Sequence, residues 1–167
     1  MPGRILRTVQ KKDDIMQLNM TTDYAIRSIL YIAESGGNVT VEEISDKMGI
    51  SLPYMRKLFY KLTKAGLIEA YRGRNGGYFI ARPAEELSLW DIANVTEQTM
   101  AINICLENQE KCGRNTAEEC TVRQFFLRLQ SQMEEEMKKK TIRSLPDKAT
   151  ERRERGVSAD SMKGEQI

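Results

Sequence analysis

The chain has 167 residues, 40% apolar and 30% charged, with 26 lysines and arginines against 24 aspartates and glutamates and a formal net charge of +2. That length suits one compact domain with extensions, and the longest apolar run, Ile29 to Ala33, is far short of the roughly 20 residues that span a bilayer. Histidine is absent, which removes the Ser-His-Asp and Cys-His catalytic groupings and every His-containing zinc or haem site, and argues against hydrolytic catalysis.

Residues 1–15 carry weak periodicity and adjoining charges (Lys11, Lys12, Asp13, Asp14), and read as a flexible N-terminal extension, with Met16 or Met20 as alternative starts. They lack the continuous apolar core of a secretory signal, so a cytoplasmic protein is expected. From Thr22 the pattern turns helical: Ala25, Ile26, Ile29, Leu30 and Ala33 recur at three and four residues, and Gly36-Gly37 stops the run. Thr40 followed by Glu43 matches a capping box, and Val41, Ile44 and Met48 form the buried stripe of a short second helix ended by Gly49. Ser51 is placed to cap a third helix, with Pro53 in its first turn. There Leu52, Met55, Leu58, Phe59, Leu62 and Ala65 face inward, while Tyr54, Lys57, Lys61 and Lys64 face out and Arg56 lies to one side.

Gly66 ends that helix, Leu67 to Tyr71 and Tyr78 to Ala81 read as strands, and Arg72-Gly73-Arg74-Asn75-Gly76-Gly77 is the loop between them. A short helix, a tight turn, a longer helix and a glycine-tipped hairpin make a winged helix-turn-helix, here spanning about residues 16–101. Ser88 opens a fourth helix with Leu89, Ile92, Ala93 and Val95 inward and Trp90 as an anchor; residues 102–120 follow as a polar segment holding every cysteine. A long helix then runs from about Thr121 to Lys140 within a 121–145 segment. Its stripe of Val122, Phe125, Phe126, Leu129, Met133 and Met137 calls for cover from the same helix of a second copy. Glu134, Glu135 and Glu136 each precede a lysine by four residues. Residues 146–167 are charged and poor in large apolar side chains, the composition of a disordered tail. The fold class is therefore mainly α with a small two-stranded wing and a long dimerisation helix.

Between Ser51 and Arg82 there are seven bases (Arg56, Lys57, Lys61, Lys64, Arg72, Arg74, Arg82) and one acid, Glu69. Basicity so focused suits a polyanion, because each cation near a phosphate releases counterions and steers encounter. Duplex DNA is the expected partner. Arg56 is the candidate for base readout; Ser51, Tyr54, Lys57, Lys61 and Lys64 lie along the groove or on phosphates, and Arg72 and Arg74 reach an adjacent minor groove. The blander alternative, a merely solvated basic face, is weakened by the adjoining short helix and hairpin. The glycine loop lacks the Lys-Ser/Thr ending of a nucleotide cradle.

Cys105, Cys112 and Cys120, the only cysteines, are separated by six and then seven residues. Their odd number and the expected compartment oppose a closed disulfide framework, and the gaps match neither zinc ribbons nor ferredoxin runs. Thiolates this far apart on a polar segment suit something larger and partly exposed, such as an iron–sulfur cluster. Three alternatives stay open: a zinc site, a thiol switch with Lys111 and Arg114 lowering a thiol pKa, and cysteines packed as small hydrophobes.

The run Ile50-Ser-Leu-Pro-Tyr-Met-Arg-Lys-Leu-Phe-Tyr-Lys-Leu-Thr-Lys-Ala-Gly-Leu-Ile, then Arg72-Gly-Arg-Asn-Gly-Gly-Tyr and Ala81-Arg-Pro, resembles the iron–sulfur cluster regulator and nitrite-sensitive repressor family (IscR and NsrR) from about Met16 to Leu145. The resemblance implies a dimeric winged-helix transcription regulator, not an enzyme, with a cluster between the wing domain and the dimerisation helix. It implies Cys105, Cys112 and Cys120 as ligands. Where one branch has a histidine ligand three residues after the last cysteine this chain has Arg123; where the other supplies an aspartate from the partner subunit, Asp23 stands in Thr21-Thr-Asp-Tyr-Ala. The second branch points to a 4Fe-4S rather than a 2Fe-2S cluster, although an acid in a helix's first turn also suits the helix dipole. The expected protein is a homodimeric repressor sensing nitric oxide, oxygen or iron. A winged module that docks an enzyme without touching DNA is the rival from another class.

Overall fold

The computed structural model describes residues 18–73, 76–108 and 119–145. Helices α1 (Met20–Glu34), α2 (Val41–Met48) and α3 (Leu52–Lys64) precede the hairpin of β1 (Ile68–Tyr71) and β2 (Gly77–Ile80). Helices α4 (Leu89–Thr96), α5 (Ile104–Glu107) and α6 (Thr121–Lys139) follow, and a 3-10 turn over Ile142–Ser144 closes the described chain. The mainly helical class with a two-stranded wing agrees with the sequence. The extension 1–15, the tail 146–167, Arg74 and Cys112 lie outside the described residues.

α1 begins two residues before Thr22 because its cap is Asn19, whose Oδ1 accepts the Thr22 amide at 3.0 Å. Of its periodic residues Ala25 and Ile29 are fully buried while Ile26, Leu30 and Ala33 are half-buried, and Ile32, outside the expected stripe, is fully buried. On α2, the Thr40 hydroxyl accepts the Glu43 amide at 3.1 Å as expected. The reciprocal half of the capping box is replaced, since the Glu43 carboxylate instead accepts from the Tyr31 hydroxyl at 2.6 Å. Gly49 takes φ 65° and ends the helix in the left-handed conformation that glycine adopts without a Cβ penalty.

Met55, Leu58, Phe59 and Leu62 form the buried face of α3. The expected stripe is trimmed at both ends: Leu52 is half-buried, and Ala65, as the C-cap, is exposed. Ser51 occupies the N-cap position but makes no side-chain capping bond, a correction to the sequence reading.

The hairpin pairs Ile68 with Ile80 and Tyr71 with Gly77, antiparallel. Val39, in the α1–α2 connection, adds a bridge on the other edge of β2: Tyr78 donates to its carbonyl at 2.8 Å and accepts its amide at 3.2 Å. Gly77 permits this approach, because a Cβ there would sit 2.8 Å from the Asn38 carbonyl carbon. Tyr78 also meets Phe59 edge to face at 4.7 Å, fastening the wing to α3.

Ser88 and Asp91 form the reciprocal capping box of α4, and Ile92 and Ala93 enter the core. After α6 the chain returns to this same core. Leu89 donates to Lys140 at 2.8 Å, Ile142 to Leu87 at 2.8 Å and Arg143 to Ala84 at 3.1 Å, with Ile142 buried. The expected division between residues 16–101 and 121–145 is thus bridged by a strand-like closure, Ser88 against Thr141. By contrast, α6 buries none of its own residues. Its ion pairs are Glu134–Lys138 at 3.4 Å and Glu136–Lys139 at 3.1 Å, the latter at a spacing of three rather than the expected four.

Candidate DNA interface and cysteine site

α3 presents its basic side chains by simple helical arithmetic: with Met55, Leu58, Phe59 and Leu62 fixed in the core, Tyr54, Arg56, Lys57, Lys61 and Lys64 are all exposed. Several are held by neighbouring elements. The Tyr54 hydroxyl pairs with that of Thr21 at 2.7 Å, and its ring stands edge to face with Tyr24 at 5.9 Å. Arg56 donates through Nη2 to Glu42 Oε1 on α2 at 2.7 Å, and this bond holds the Glu42 carboxyl below its ordinary value. Lys61 reaches the Thr96 carbonyl at the end of α4, 3.4 Å away. Lys57 and Lys64 are exposed and, among the described residues, unpaired.

Ser51 lies exposed ahead of the first turn, and Arg72 is exposed where β1 enters the wing loop. The fold therefore brings Ser51, Tyr54, Arg56, Lys57, Lys61 and Lys64 onto one element, with Arg72 on the adjoining wing. Sequence reading missed Tyr60, 70% exposed and one turn from both Lys57 and Lys64, and Tyr71, 67% exposed beside Arg72. The signal for Tyr60 was available: it falls in a gap of the buried stripe.

Glu97, just past α4, is a junction that sequence reading also missed. Its carboxylate accepts the Asn19 amide at 2.8 Å, the Asn19 side-chain amide at 2.7 Å and the Thr22 hydroxyl, which also meets the Thr96 hydroxyl at 2.7 Å. A carboxylate at the start of α1 complements the unpaired amides and the positive end of the helix dipole. The same corner receives Lys61 from α3, so the starts and ends of three helices meet there.

The cysteine segment contains the unforeseen helix α5. Cys105 sits in its first turn, where its amide donates to Asn103 Oδ1 at 3.1 Å. Cys120 is the N-cap residue of α6. Both are half-buried free thiols. Gln130 fastens the approach to this segment onto α6: it accepts the Ile102 amide at 2.9 Å and donates to the Met100 carbonyl at 2.9 Å and to Glu134 at 2.9 Å. Asp23 is held within its own helix by Arg27, with contacts of 3.0 and 3.1 Å. No group of three or more Cys, Asp or Glu side chains is gathered in metal-holding geometry among the described residues, so a single protomer does not bring Asp23 together with Cys105 and Cys120. Arg123, one turn beyond Cys120, keeps a buried Nε with no hydrogen-bond partner. No described helix is long and apolar enough to cross a membrane.

Residues 18–148 match the sequence pattern of the Rrf2 family, described as an iron-dependent transcriptional regulator. The chain is 38% identical over 123 residues to Protein aau3 of Rhizobium meliloti, covering 69% of this chain and 80% of that one. It is 43% identical over 89 residues to the HTH-type transcriptional regulator IscR of Cereibacter sphaeroides, covering 51% and 57% of the two chains. Among solved structures, CymR, the global cysteine regulator of B. subtilis, superimposes with a TM-score of 0.65 at 21% identity over 78% of this chain and 95% of its own. That last likeness concerns the fold.

Proposed function

The chain belongs to the Rrf2 family of transcriptional regulators, and we propose that it acts in the cytoplasm as a homodimeric, DNA-binding repressor governed by an iron–sulfur cluster that senses nitric oxide, oxygen or iron. The observation that carries the cluster is the pair of free, half-buried thiols: Cys105, shortly after the residues 100–102 that Gln130 ties to α6, and Cys120 at the start of that helix. The donor set fits. Thiolates suit iron–sulfur clusters, and the unpartnered Arg123 Nε one turn from Cys120 is a cationic donor for which an anionic neighbour would supply the missing acceptor.

Cys105, Cys112 and Cys120 would hold the group, with Asp23 from the partner subunit as fourth ligand and a 4Fe-4S cluster favoured over 2Fe-2S. When bound, such a cluster supplies reactivity toward small oxidants and a cross-link between the thiolates. Asp23 must then leave Arg27, an exposed helix pair of the kind that contributes little. The chain's own bonds offer a route to the DNA face. Gln130 couples α6 to residues 100–102, Glu97 couples the end of α4 to the start of α1, and Thr96 receives Lys61 of α3. Movement of the cysteine segment would be felt by the recognition helix through that corner, and a change of about 1.4 kcal/mol suffices for a tenfold change in operator affinity. Arg56 would read a base edge, Lys57 and Lys64 clamp phosphates, and Arg72 and Arg74 enter the minor groove.

Anaerobic purification tests this reading. The protein should be brown, with about equal iron and sulfide, and Cys112→Ala should bleach it. A colourless, iron-free anaerobic preparation with full operator affinity would sink the cluster. Peroxide alone changing the footprint of that colourless protein would leave a thiol switch in its place.

A further inference from the structure

We propose that Glu42 is the positioning residue that sets sequence preference, by holding Arg56 in its base-reading posture and by keeping that arginine off the phosphates. The inference rests on the assignment of base readout to Arg56 and extends it to a residue on another helix.

Arg56 lies in the first half of α3, and Glu42 in the first turn of α2, fourteen positions earlier. In a helix-turn-helix the N-terminal half of the recognition helix meets base edges, while the preceding helix runs over the backbone. The contact joins Nη2 to Oε1 at 2.7 Å, and both side chains remain more than half exposed. It therefore consumes one guanidinium N–H and leaves a two-pronged edge, the feature that fits the O6 and N7 acceptors of guanine. The pair does not close the arginine off; it aims it.

Two effects follow from the carboxylate. An arginine already held in one direction loses less rotamer freedom on reading a base, which sharpens preference at that position. The negative charge beside the duplex also repels phosphates generally, and it competes with any phosphate for the Arg56 guanidinium, which weakens sequence-independent binding. A salt bridge that merely stabilised the fold would do neither, and as an exposed pair this one contributes little to stability.

Binding-site selection from a randomised duplex library, read by sequencing, tests this with the full-length protein and its Glu42→Ala, Glu42→Gln and Arg56→Ala variants. Anisotropy measurements on a random-sequence duplex and on the wild-type consensus supply affinities. Arg56→Ala should erase the preference at one guanine position. Glu42→Ala should lower preference at that same position about tenfold, while tightening binding to the random duplex. Glu42→Gln, which keeps the acceptor without the charge, should retain most of the preference yet still bind random DNA more tightly. Thermal unfolding should be unchanged in every variant. If Glu42→Ala keeps full preference at the position that Arg56→Ala erases, the positioning role is overturned and Arg56 readout stands. If Arg56→Ala leaves every preference intact, both assignments fall together.

Discussion

Phe125→Ala is the sharpest test of the two-fold assembly. Along α6, Phe125 is 53% exposed, Val122 57% and Leu129 38%, and no residue of this helix is buried within the protomer. A buried phenylalanine covers about 150–250 Å², so about 100 Å² of Phe125 remains open in each copy. At about 25 cal/mol per Å², closing that area contributes about 2.5 kcal/mol per copy. Two-fold symmetry counts it twice, and allowing for the Cβ that alanine retains leaves about 4 kcal/mol per dimer. The dimer dissociation constant should then rise by about a thousandfold. Sedimentation velocity across a dilution series measures it directly, and at dilutions where the wild type is already monomeric the loss of stability is confined to the covered half of the ring, including its edge-to-face contact with Phe126 at 5.6 Å. An unaltered dissociation constant would show that this face is not the interface, and a wild-type chain that sediments as a monomer at high concentration would remove the assembly altogether.

Other consequences are narrower. Gly77→Ala should destabilise the fold by about 1–3 kcal/mol or more, because the new Cβ would meet Asn38 backbone and Oδ1 at 2.8 Å and the Val39 amide at 3.0 Å; equal melting temperatures would refute the close approach of wing and α1–α2 connection. Glu97→Ala leaves the Asn19 backbone amide without its acceptor and removes one of the partners of the Asn19 side-chain amide and of the Thr22 hydroxyl, and urea titration should register a loss of about 1–3 kcal/mol. Lys57→Ala should weaken binding to all duplexes alike and reduce the salt slope by about 1, whereas a change confined to particular sequences would mean that Lys57 reads bases.

Local pattern made most of the winged unit legible, since each of its helices carries a stripe that the core then buries. Met55, Leu58, Phe59 and Leu62 on α3 are found both by periodicity and by burial, as are Ala25 and Ile29 on α1, where the buried face is rotated so that Ile32 is buried while Ile26, Leu30 and Ala33 are half-covered. What escaped were contacts between distant positions. Glu97 meets Asn19 across 78 residues, Gln130 meets Ile102 across 28 and Arg56 meets Glu42 across 14; no window of neighbouring residues encodes them. Caps were legible only by half. Asn19 was overlooked because Thr21 and Thr22 are equally plausible caps by type, and the capping role given to Ser51 failed because residue type alone does not fix the hydroxyl's direction. Ile142 was invisible for another reason: an isolated apolar residue after a long polar helix has no periodicity, yet backbone hydrogen bonds of Lys140, Ile142 and Arg143 return it to the core.

That return has a mechanical consequence for any signal arriving through α6. A helix anchored only at one end would swing freely, and its motion would dissipate in solvent. Here the C-terminal end is fixed by Leu89 to Lys140 and Ile142 to Leu87, while Gln130 grips residues 100–102 halfway along. Residues 97–103 are consequently strung between two fixed points: Glu97, bonded to α1, and Gln130, bonded to α6. A displacement of the cysteine segment beyond Asn103 has little slack to be absorbed in before it reaches Glu97 and Thr96, the residues that hold α1 and Lys61. Lengthening the chain between these anchors by a few glycines should leave DNA affinity intact and abolish its dependence on the cysteines.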